Sequence, residues 1–185
     1  MASSTKEALA NALKLMMTIK PIDKITVKDL VEECGVNRQT FYYHFDDVYD
    51  LLEWVFEEDA NRVLPSEILY DEWRENVLLF FKYLNDNKNF VLNIYNSQNR
   101  SYLLRYFKRR LHYCIHGFAV IVADGKNISW NDLEFVCEFY ARGIVGLISV
   151  WMDNNMQNPP DFTEEKFVRI LDGSIENLLE RFENN

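Results

Sequence analysis

Polar side chains that are able to read DNA bases stand next to one another between residues 37 and 44. An arginine can pair with guanine, a glutamine with adenine, and a threonine methyl group can contact thymine. Tyrosine, histidine and lysine can donate hydrogen bonds to phosphate oxygens. The predicted DNA-binding residues are Thr26, Lys28, Asn37, Arg38, Gln39, Thr40, Tyr42, Tyr43 and His44.

Two short helices around a glycine turn are predicted to hold these side chains. Thr26 followed by Asp29 is typical of a capping box at a helix start, and Asn37 is a good N-cap for a second helix. Gly35 stands where the chain must reverse, which favours a left-handed backbone angle. The apolar positions predicted to face the core are Val27, Leu30, Val31, Phe41 and Phe45. The residue types alone leave open a polar surface helix of a small bundle, since such patterns also occur by chance.

The segment TVKDLVEECGVNRQTFYYHF, residues 26–45, resembles the DNA-binding domain of the TetR family of transcriptional regulators. The resemblance covers about the first quarter of the chain. It implies an all-α fold in which residues 1–46 form a helix-turn-helix DNA-binding domain of three helices. Residues 47–185 would then form a larger helical bundle for ligand binding, regulation and dimerisation.

Two finer features of this segment concern the subgroup and one phosphate contact. The run NRQTFYYHF, followed by YDLLEW, resembles the TetR subgroup associated with dihydroxyacetone kinase operons. The family often has a lysine soon after the terminal phenylalanine, where it meets phosphate. Here those positions are Asp46, Asp47 and Val48, which argues against that contact.

The rest of the chain has helical periodicity and no strand signal. A capping box of Ser4 and Glu7 predicts the start of a first helix that ends before Pro21, with Leu9, Ala12, Leu13, Met16 and Ile19 on its apolar face. A fourth helix is predicted from Val48 to about Arg62. One continuous last helix is predicted to open at Thr163, with the stripe Phe167, Ile170, Leu171, Ser174, Leu178 and Phe182.

The charge balance limits how this chain can bind nucleic acid. The formal net charge is −9, and the first fifty residues carry six cationic against eight acidic side chains. DNA affinity must therefore come from the local placement of cations. The three cysteines, Cys34, Cys114 and Cys137, are widely spaced and form no CxxC pair. They indicate neither a zinc site nor a disulfide framework, and they favour a reducing cytoplasm.

No membrane partner is expected from the sequence. The N-terminal residues do not have the pattern of a signal peptide, and the longest apolar run, residues 143–152, is too short to cross a bilayer. We therefore expect a cytoplasmic protein.

Small residues interrupt one predicted helix. Gly143 and Gly146 each cost about 1 kcal/mol relative to alanine inside a helix, but small residues let another helix backbone approach closely. The residues alone leave a dimer interface and close packing within one subunit equally open. The TetR resemblance implies a dimer built from the last two helices, with Tyr140, Gly143, Gly146, Val150, Phe167, Leu171 and Leu178 in the interface.

Other chemistry-bearing residues carry weaker signals. His112 and His116 share one helix face at a spacing that can bind a metal, but the sequence shows no third ligand, so no metal is predicted. A basic cluster could bind an anionic ligand or an acidic partner, or could be a solvated face with ion pairs. Its members are Arg105, Lys108, Arg109 and Arg110. The abundant aromatic residues suit either a ligand pocket or a plain core, and no ligand-binding residue is predicted.

No motif of an enzyme active site is present: there is no nucleophile elbow, glycine-rich phosphate loop or HExxH. We therefore expect neither catalysis nor a cofactor. The prediction is a homodimeric regulator that binds double-stranded operator DNA and responds to a small-molecule or protein effector. The alternative is a TetR-like interaction protein that acts through a protein partner and binds DNA weakly or only in complex. The acidic step at Asp46 and Asp47 favours that alternative.

Overall fold

The computed structural model describes residues 2–63, 73–157, 164–171 and 173–183, and every regular element in these ranges is helical. The predicted all-α class is confirmed. A single 3-10 turn spans Ile22–Lys24. The α-helices are α1 (Ala2–Met17), α2 (Val27–Cys34), α3 (Arg38–His44), α4 (Val48–Val63), α5 (Trp73–Asp86), α6 (Lys88–Tyr95), α7 (Arg100–Ala123), α8 (Trp130–Asp153), α9 (Glu164–Leu171) and α10 (Ser174–Glu183).

The chain divides into two compact units. The first contains Met1–Arg62 and Asn87–Arg100, and the second contains Val63–Asp86 and Ser101–Asn185. The first unit therefore holds α1, α2, α3, most of α4 and α6. The boundary predicted after residue 46 separates a DNA-binding from a regulatory domain by function, and it stays a prediction.

The core of the first unit forms where α1 packs against α2 and α6, and where α2 packs against α3. Its fully buried side chains include Leu9, Leu13, Leu30, Phe41, Leu51 and Leu52. The predicted apolar face of α1 was wrong at its end, because the helix stops at Met17 and leaves Ile19 82% exposed, while Met17 itself is buried. The predicted start was wrong too. The helix begins at Ala2, so Ser4 lies inside it.

Two polar contacts fix α4 and α6 to α1. The Asn93 side chain in α6 donates to the carbonyl oxygens of Met17 (2.6 Å) and Lys20 (2.8 Å), and it accepts from the backbone N–H of Ile22 at 2.8 Å. Lys14 in α1 forms an ion pair with the buried Asp59 in α4, with Nζ–Oδ distances of 2.6 and 2.7 Å. These contacts give partners to polar groups that would destabilise the fold if they were buried without one.

Two long helices, α7 and α8, run through the second unit, in which α8 packs against α10 and α5 packs against α9. Aromatic pairs build much of its core. The rings of Phe80 and Phe107 meet edge to face at 5.7 Å between centroids, and those of Phe81 and Trp151 lie 6.1 Å apart. Such tilted arrangements are preferred by aromatic quadrupoles.

The prediction of one continuous last helix was wrong. Two helices, α9 and α10, replace it because Gly173 adopts a left-handed backbone angle of φ 70°. An α-helix cannot continue through that angle, and glycine adopts it at little cost. The predicted start at Thr163 lies outside the described residues.

Among the described helices, α8 alone is long and apolar enough to cross a membrane by length and composition, and 39% of its most apolar window is buried. The core helix of a soluble protein passes the same test. The buried side of α8 carries Leu133, Val136, Cys137, Ala141, Ile144 and Ile148. Its exposed side carries Phe135, Phe139, Leu147 and Val150, together with Arg142.

Candidate nucleic-acid interface

A capping box fixes the start of α2, as predicted. The backbone N–H of Asp29 donates to Thr26 Oγ1 at 3.2 Å, and the backbone N–H of Thr26 donates to Asp29 Oδ2 at 2.8 Å. Lys20 also contacts the Asp29 carboxylate at 3.0 Å. The hydrogen bond from the Thr26 backbone, followed by the one from Lys20, lowers the pKa of Asp29 to about 2.

The turn between α2 and α3 depends on Gly35. Its φ of 64° lies in the left-handed region that disfavours side chains with a Cβ atom. The backbone N–H of Val36 donates to the carbonyl of Val31 at 3.0 Å, which satisfies a carbonyl at the end of α2. The chain can therefore reverse within the three residues between α2 and α3.

Asn37 caps α3, and two phenylalanines anchor it. Asn37 Oδ1 accepts from the backbone N–H of Thr40 at 2.8 Å and from Thr40 Oγ1 at 3.0 Å. Phe41 and Phe45, four residues apart, are both buried. Because the two phenylalanines face the core, the rotation of the helix is set, and Tyr42 and Tyr43 between them face solvent.

The outer face of α3 presents Arg38, Gln39, Tyr42 and Tyr43 to solvent, with Tyr43 81% exposed. Within the described part of the chain, the side chains of Arg38 and Gln39 make no hydrogen bond or ion pair. His44 is half-buried, and its ring lies edge to face against Tyr43 at 4.9 Å. This face offers one guanidinium, one amide and two phenols at the surface of a rigid helix.

The remaining predicted DNA-binding residues are engaged within the protein. Thr26 belongs to the capping box, and the Thr40 hydroxyl donates a hydrogen bond to Asn37 Oδ1. Lys28 approaches Glu32 at 3.7 Å, but both side chains are well exposed, so this ion pair is weak. The geometry therefore favours Arg38 and Gln39 as base readers, and their role stays a prediction.

The acidic step after α3 has a structural cause. Asp47 Oδ1 accepts from the backbone N–H groups of Tyr49 at 2.7 Å and Asp50 at 2.9 Å. These are orphan donors at the start of α4, and aspartate is among the best residues for satisfying them. Asp47 therefore caps α4 at one of the positions where the family often has a lysine.

Sequence reasoning missed Lys6. Its ammonium group lies 5.4 Å from the ring centre of Phe45 and 5.6 Å from that of Trp54. Within the described residues it has no carboxylate partner. This places a cation beside the acidic step, forty residues away in sequence. No local pattern around Lys6 could have revealed this position.

A second exposed surface lies on α8. Phe135 and Phe139 are 62% and 60% exposed, and Leu147 and Val150 are also exposed. They share one helix face with Gly143 and Gly146, at which an added Cβ would meet no described atom within 4 Å. Of the other predicted interface residues, Tyr140, Leu171 and Leu178 are half-buried. The side chain of Phe167 lies outside the described part of the structure.

The open space at both glycines disfavours the packing of these residues within one subunit. Sequence reasoning also missed Phe135 and Phe139. Their spacing of four residues was a signal, because it continues through Gly143 along one face of the helix. We call this surface the α8 face; it consists of Phe135, Phe139, Gly143, Gly146, Leu147 and Val150.

The sequence suggested no acid near His112 and His116, and the structure corrects this. Glu134 on α8 reaches both imidazoles, with distances of 3.2 Å to His112 Nε2 and 3.3 Å to His116 Nε2. Among the described residues, no group of three or more ligating side chains is placed to hold a metal ion. These three residues therefore form a cluster of two imidazoles and one carboxylate.

Family models match both parts of the chain. The model described as "Bacterial regulatory proteins, tetR family" matches residues 8–55, and the one described as "Transcriptional regulator C-terminal region" matches residues 71–173. The chain belongs to the TetR family of transcriptional regulators. The first match covers α2, α3, most of α1 and half of α4, so it includes the predicted DNA-recognition helix α3. The family is one of DNA-binding regulators.

Individual relatives agree with this assignment. The chain is 27% identical over 150 residues to the HTH-type dhaKLM operon transcriptional activator DhaS of Lactococcus lactis subsp. lactis (strain IL1403), covering 77% of this chain and 76% of the relative. The solved structure of a dihydroxyacetone kinase operon activator DhaS has a TM-score of 0.68 at 23% identity, covering 96% of this chain and 97% of that one.

A TetR transcriptional regulator from Streptococcus agalactiae 2603V has the same fold. Its TM-score is 0.59 at 18% identity, with 99% of this chain and 93% of that chain covered. At these identities the structural likenesses show the fold alone.

Proposed function

We propose that this TetR-family regulator is a cytoplasmic homodimer that reads operator DNA with α3 and changes transcription in response to an effector. The observation that carries the proposal is the outer face of α3, where Arg38 and Gln39 stand exposed on a helix that is anchored by Phe41 and Phe45. A rigid helix that presents an arginine and a glutamine suits the donor and acceptor pattern of the major groove.

Dimerisation through the α8 face would supply the second reading helix. Two glycines at which an added Cβ would meet no described atom within 4 Å would let the partner helix approach closely, and the exposed aromatic side chains around them would be covered. A two-fold dimer reads two half-sites about 34–36 Å apart on one side of the duplex. An effector that changes the separation of the two α3 helices would therefore weaken simultaneous binding.

The similarity to DhaS suggests a target. The printed name of that relative makes it an activator of the dhaKLM operon. We propose that this chain likewise controls a dihydroxyacetone kinase operon, with a small molecule or a protein as its effector.

Binding to DNA from the gene's own upstream region tests the proposal. We expect fluorescence anisotropy of the purified chain on overlapping 30-base-pair duplexes to single out one site, with a Kd of about 10⁻⁸ M or tighter at physiological salt. Random duplex of the same length should bind roughly a thousandfold more weakly or worse. Sedimentation of the complex should give two chains per site. Equal affinity for every duplex would refute sequence-specific reading by this chain alone.

The acidic residues Asp46 and Asp47 favour a second candidate function. Asp46 and Asp47 stand next to α3, and the local surface carries few cations, so the electrostatic share of DNA affinity is small. We propose as the alternative that a protein partner supplies the missing affinity. The same anisotropy assay, repeated with the products of neighbouring genes, separates the two: tight binding that appears only with a partner present establishes the alternative.

A further inference from the structure

A polar cleft lies between α7 and α8 in the second unit. It has a volume of about 550 Å³ and is lined by Tyr102, Arg105, Tyr106, Lys108, Arg109, His112, Glu134 and Glu138. Sites for small molecules have volumes of about 300–1,000 Å³, so the cleft fits a compact metabolite. Three cations lie within five residues on its α7 wall.

The carboxylates of the cleft already have partners. Glu138 accepts from Lys108 Nζ at 3.2 and 3.3 Å and from Arg142 Nε at 2.7 Å. Burial acts to raise the pKa of Glu138, but these hydrogen bonds outweigh it and leave the pKa below its ordinary value. Glu134 is held between the imidazoles of His112 and His116. Because Glu134 and Glu138 both have partners, their electrostatic repulsion of an incoming anion is reduced.

The cleft therefore has an excess of positive charge. Three cationic side chains, Arg105, Lys108 and Arg109, line it together with two carboxylates, in a chain whose formal net charge is −9. Arg105 is exposed and has no carboxylate within 4.0 Å among the described residues. The guanidinium of Arg109 lies 5.7 Å from the ring centre of Tyr106, which restricts its orientation.

We propose that this cleft binds a small metabolite through an oxyanion group, a phosphate or a carboxylate. Arg105 is its main partner, because a guanidinium can donate two parallel hydrogen bonds to either group. Lys108 and Arg109 flank the bound anion, and the rings of Tyr102 and Tyr106 contact the apolar part of the molecule. Binding stands on the cleft alone, whereas a role for this metabolite as the effector rests on the proposed function.

Calorimetric titration of the full-length chain tests binding directly. The probes are inorganic phosphate, glycerol 3-phosphate and succinate, with uncharged glycerol as the control. We expect at least one anion to bind with a Kd of about 1 mM or tighter and glycerol not to bind. Stronger binding of the two phosphates than of succinate identifies the group as phosphate, and the reverse order identifies it as carboxylate. Affinity should fall as salt is raised, because the site is partly open to solvent.

Variants connect binding to Arg105. Arg105→Ala should lower the affinity for the anion about tenfold or more, since a charge-assisted pair is lost. Arg105→Lys should have an affinity between those of Arg105→Ala and the unchanged chain, because lysine keeps the charge but lacks the two parallel donors of the guanidinium. Arg169→Ala removes an exposed arginine of α9 outside the cleft and serves as the matched control. It should bind like the unchanged chain.

Three results would overturn the proposal: no heat of binding with any of the anions, equal affinity for Arg105→Ala, or equal weakening in Arg169→Ala. The same Arg105→Ala protein should bind DNA normally in the absence of anion. A chain that binds the anion but no DNA contradicts the proposed function alone. One that reads DNA but binds no anion contradicts only the proposal for the cleft.

Discussion

Single side chains on the outer face of α3 divide into those that hold the helix and those that remain available for a ligand. Asn37 and Thr40 bond to each other, whereas Arg38 and Gln39 point to solvent without a partner in the described residues. This division predicts which substitutions alter sequence reading and which alter stability. Asn37 would act on stability, because it satisfies the first turn of α3.

Arg38→Ala and Gln39→Ala should each weaken binding to the specific site by about 1–3 kcal/mol, because each removes contacts to a base edge. Binding to random DNA should change much less. Anisotropy with the two duplexes side by side measures both losses. If the losses are equal on both duplexes, these side chains contact only the phosphate backbone.

Lys6 offers a cation where the acidic step lacks one. Lys6→Ala should weaken binding to specific and random duplexes alike, and should reduce the slope of log K against log salt by about 1 per subunit, since one phosphate contact is lost. Lys82→Ala, an exposed lysine on α5, is the control and should leave the slope unchanged. An unaltered slope in Lys6→Ala would remove Lys6 from the interface.

The capping box of α2 makes stability depend on acid. The pKa of Asp29 is lowered from 3.8 to about 2 in the folded chain, so its contribution is fully present well above pH 4. That contribution is lost as the pH falls from 3.8 towards 2. Urea unfolding should therefore show Asp29→Asn less stable than the unchanged chain at pH 7, with the difference shrinking at pH 3. A difference that stays constant between these pH values contradicts the ionic role.

The packing of α6 against α1 in the first unit depends on the side-chain amide of Asn93. Asn93 joins α6 to the end of α1 through three hydrogen bonds. Asn93→Ala should lower the free energy of unfolding by about 2–3 kcal/mol, because partly buried backbone groups lose their partner. Asn89→Ala, an exposed position on the same helix, should change it by less than about 0.5 kcal/mol. Thermal unfolding of the two variants compares them directly.

The elements that could be predicted from sequence are those fixed by neighbours within a few residues. The capping box of Thr26, the left-handed Gly35 and the cap at Asn37 each follow local backbone rules, and all three were confirmed. The position of Lys6 beside Phe45 and that of Glu134 beside two histidines were not predictable, because they join helices distant in sequence. Gly173 was a local signal that the long apolar stripe obscured.

For the molecule as a whole, the two exposed surfaces must work together. In the proposed dimer each α3 helix would cover one half-site, and the α8 face is an exposed apolar surface with room for a partner helix among the described residues. Linking two weak half-site contacts in one dimer raises the affinity well above that of either contact. In the proposed dimer the interface would therefore control DNA binding without contacting the duplex.

Gly146→Leu tests this dependence. The new side chain fills the space that a partner helix would occupy, so the chain should sediment as a monomer and lose most of its affinity for the operator. It should stay helical, because leucine favours a helix over glycine by up to about 1 kcal/mol and meets no atom of its own subunit among the described residues.

Gly117→Leu is the matched control for that experiment. It makes the same change at another open helical glycine, on α7 and outside the α8 face. It should remain dimeric and bind DNA normally, which separates the effect of a leucine on a helix from that of a blocked interface. If Gly146→Leu also remains dimeric, the interface lies elsewhere. If it unfolds, the glycine serves packing within one subunit.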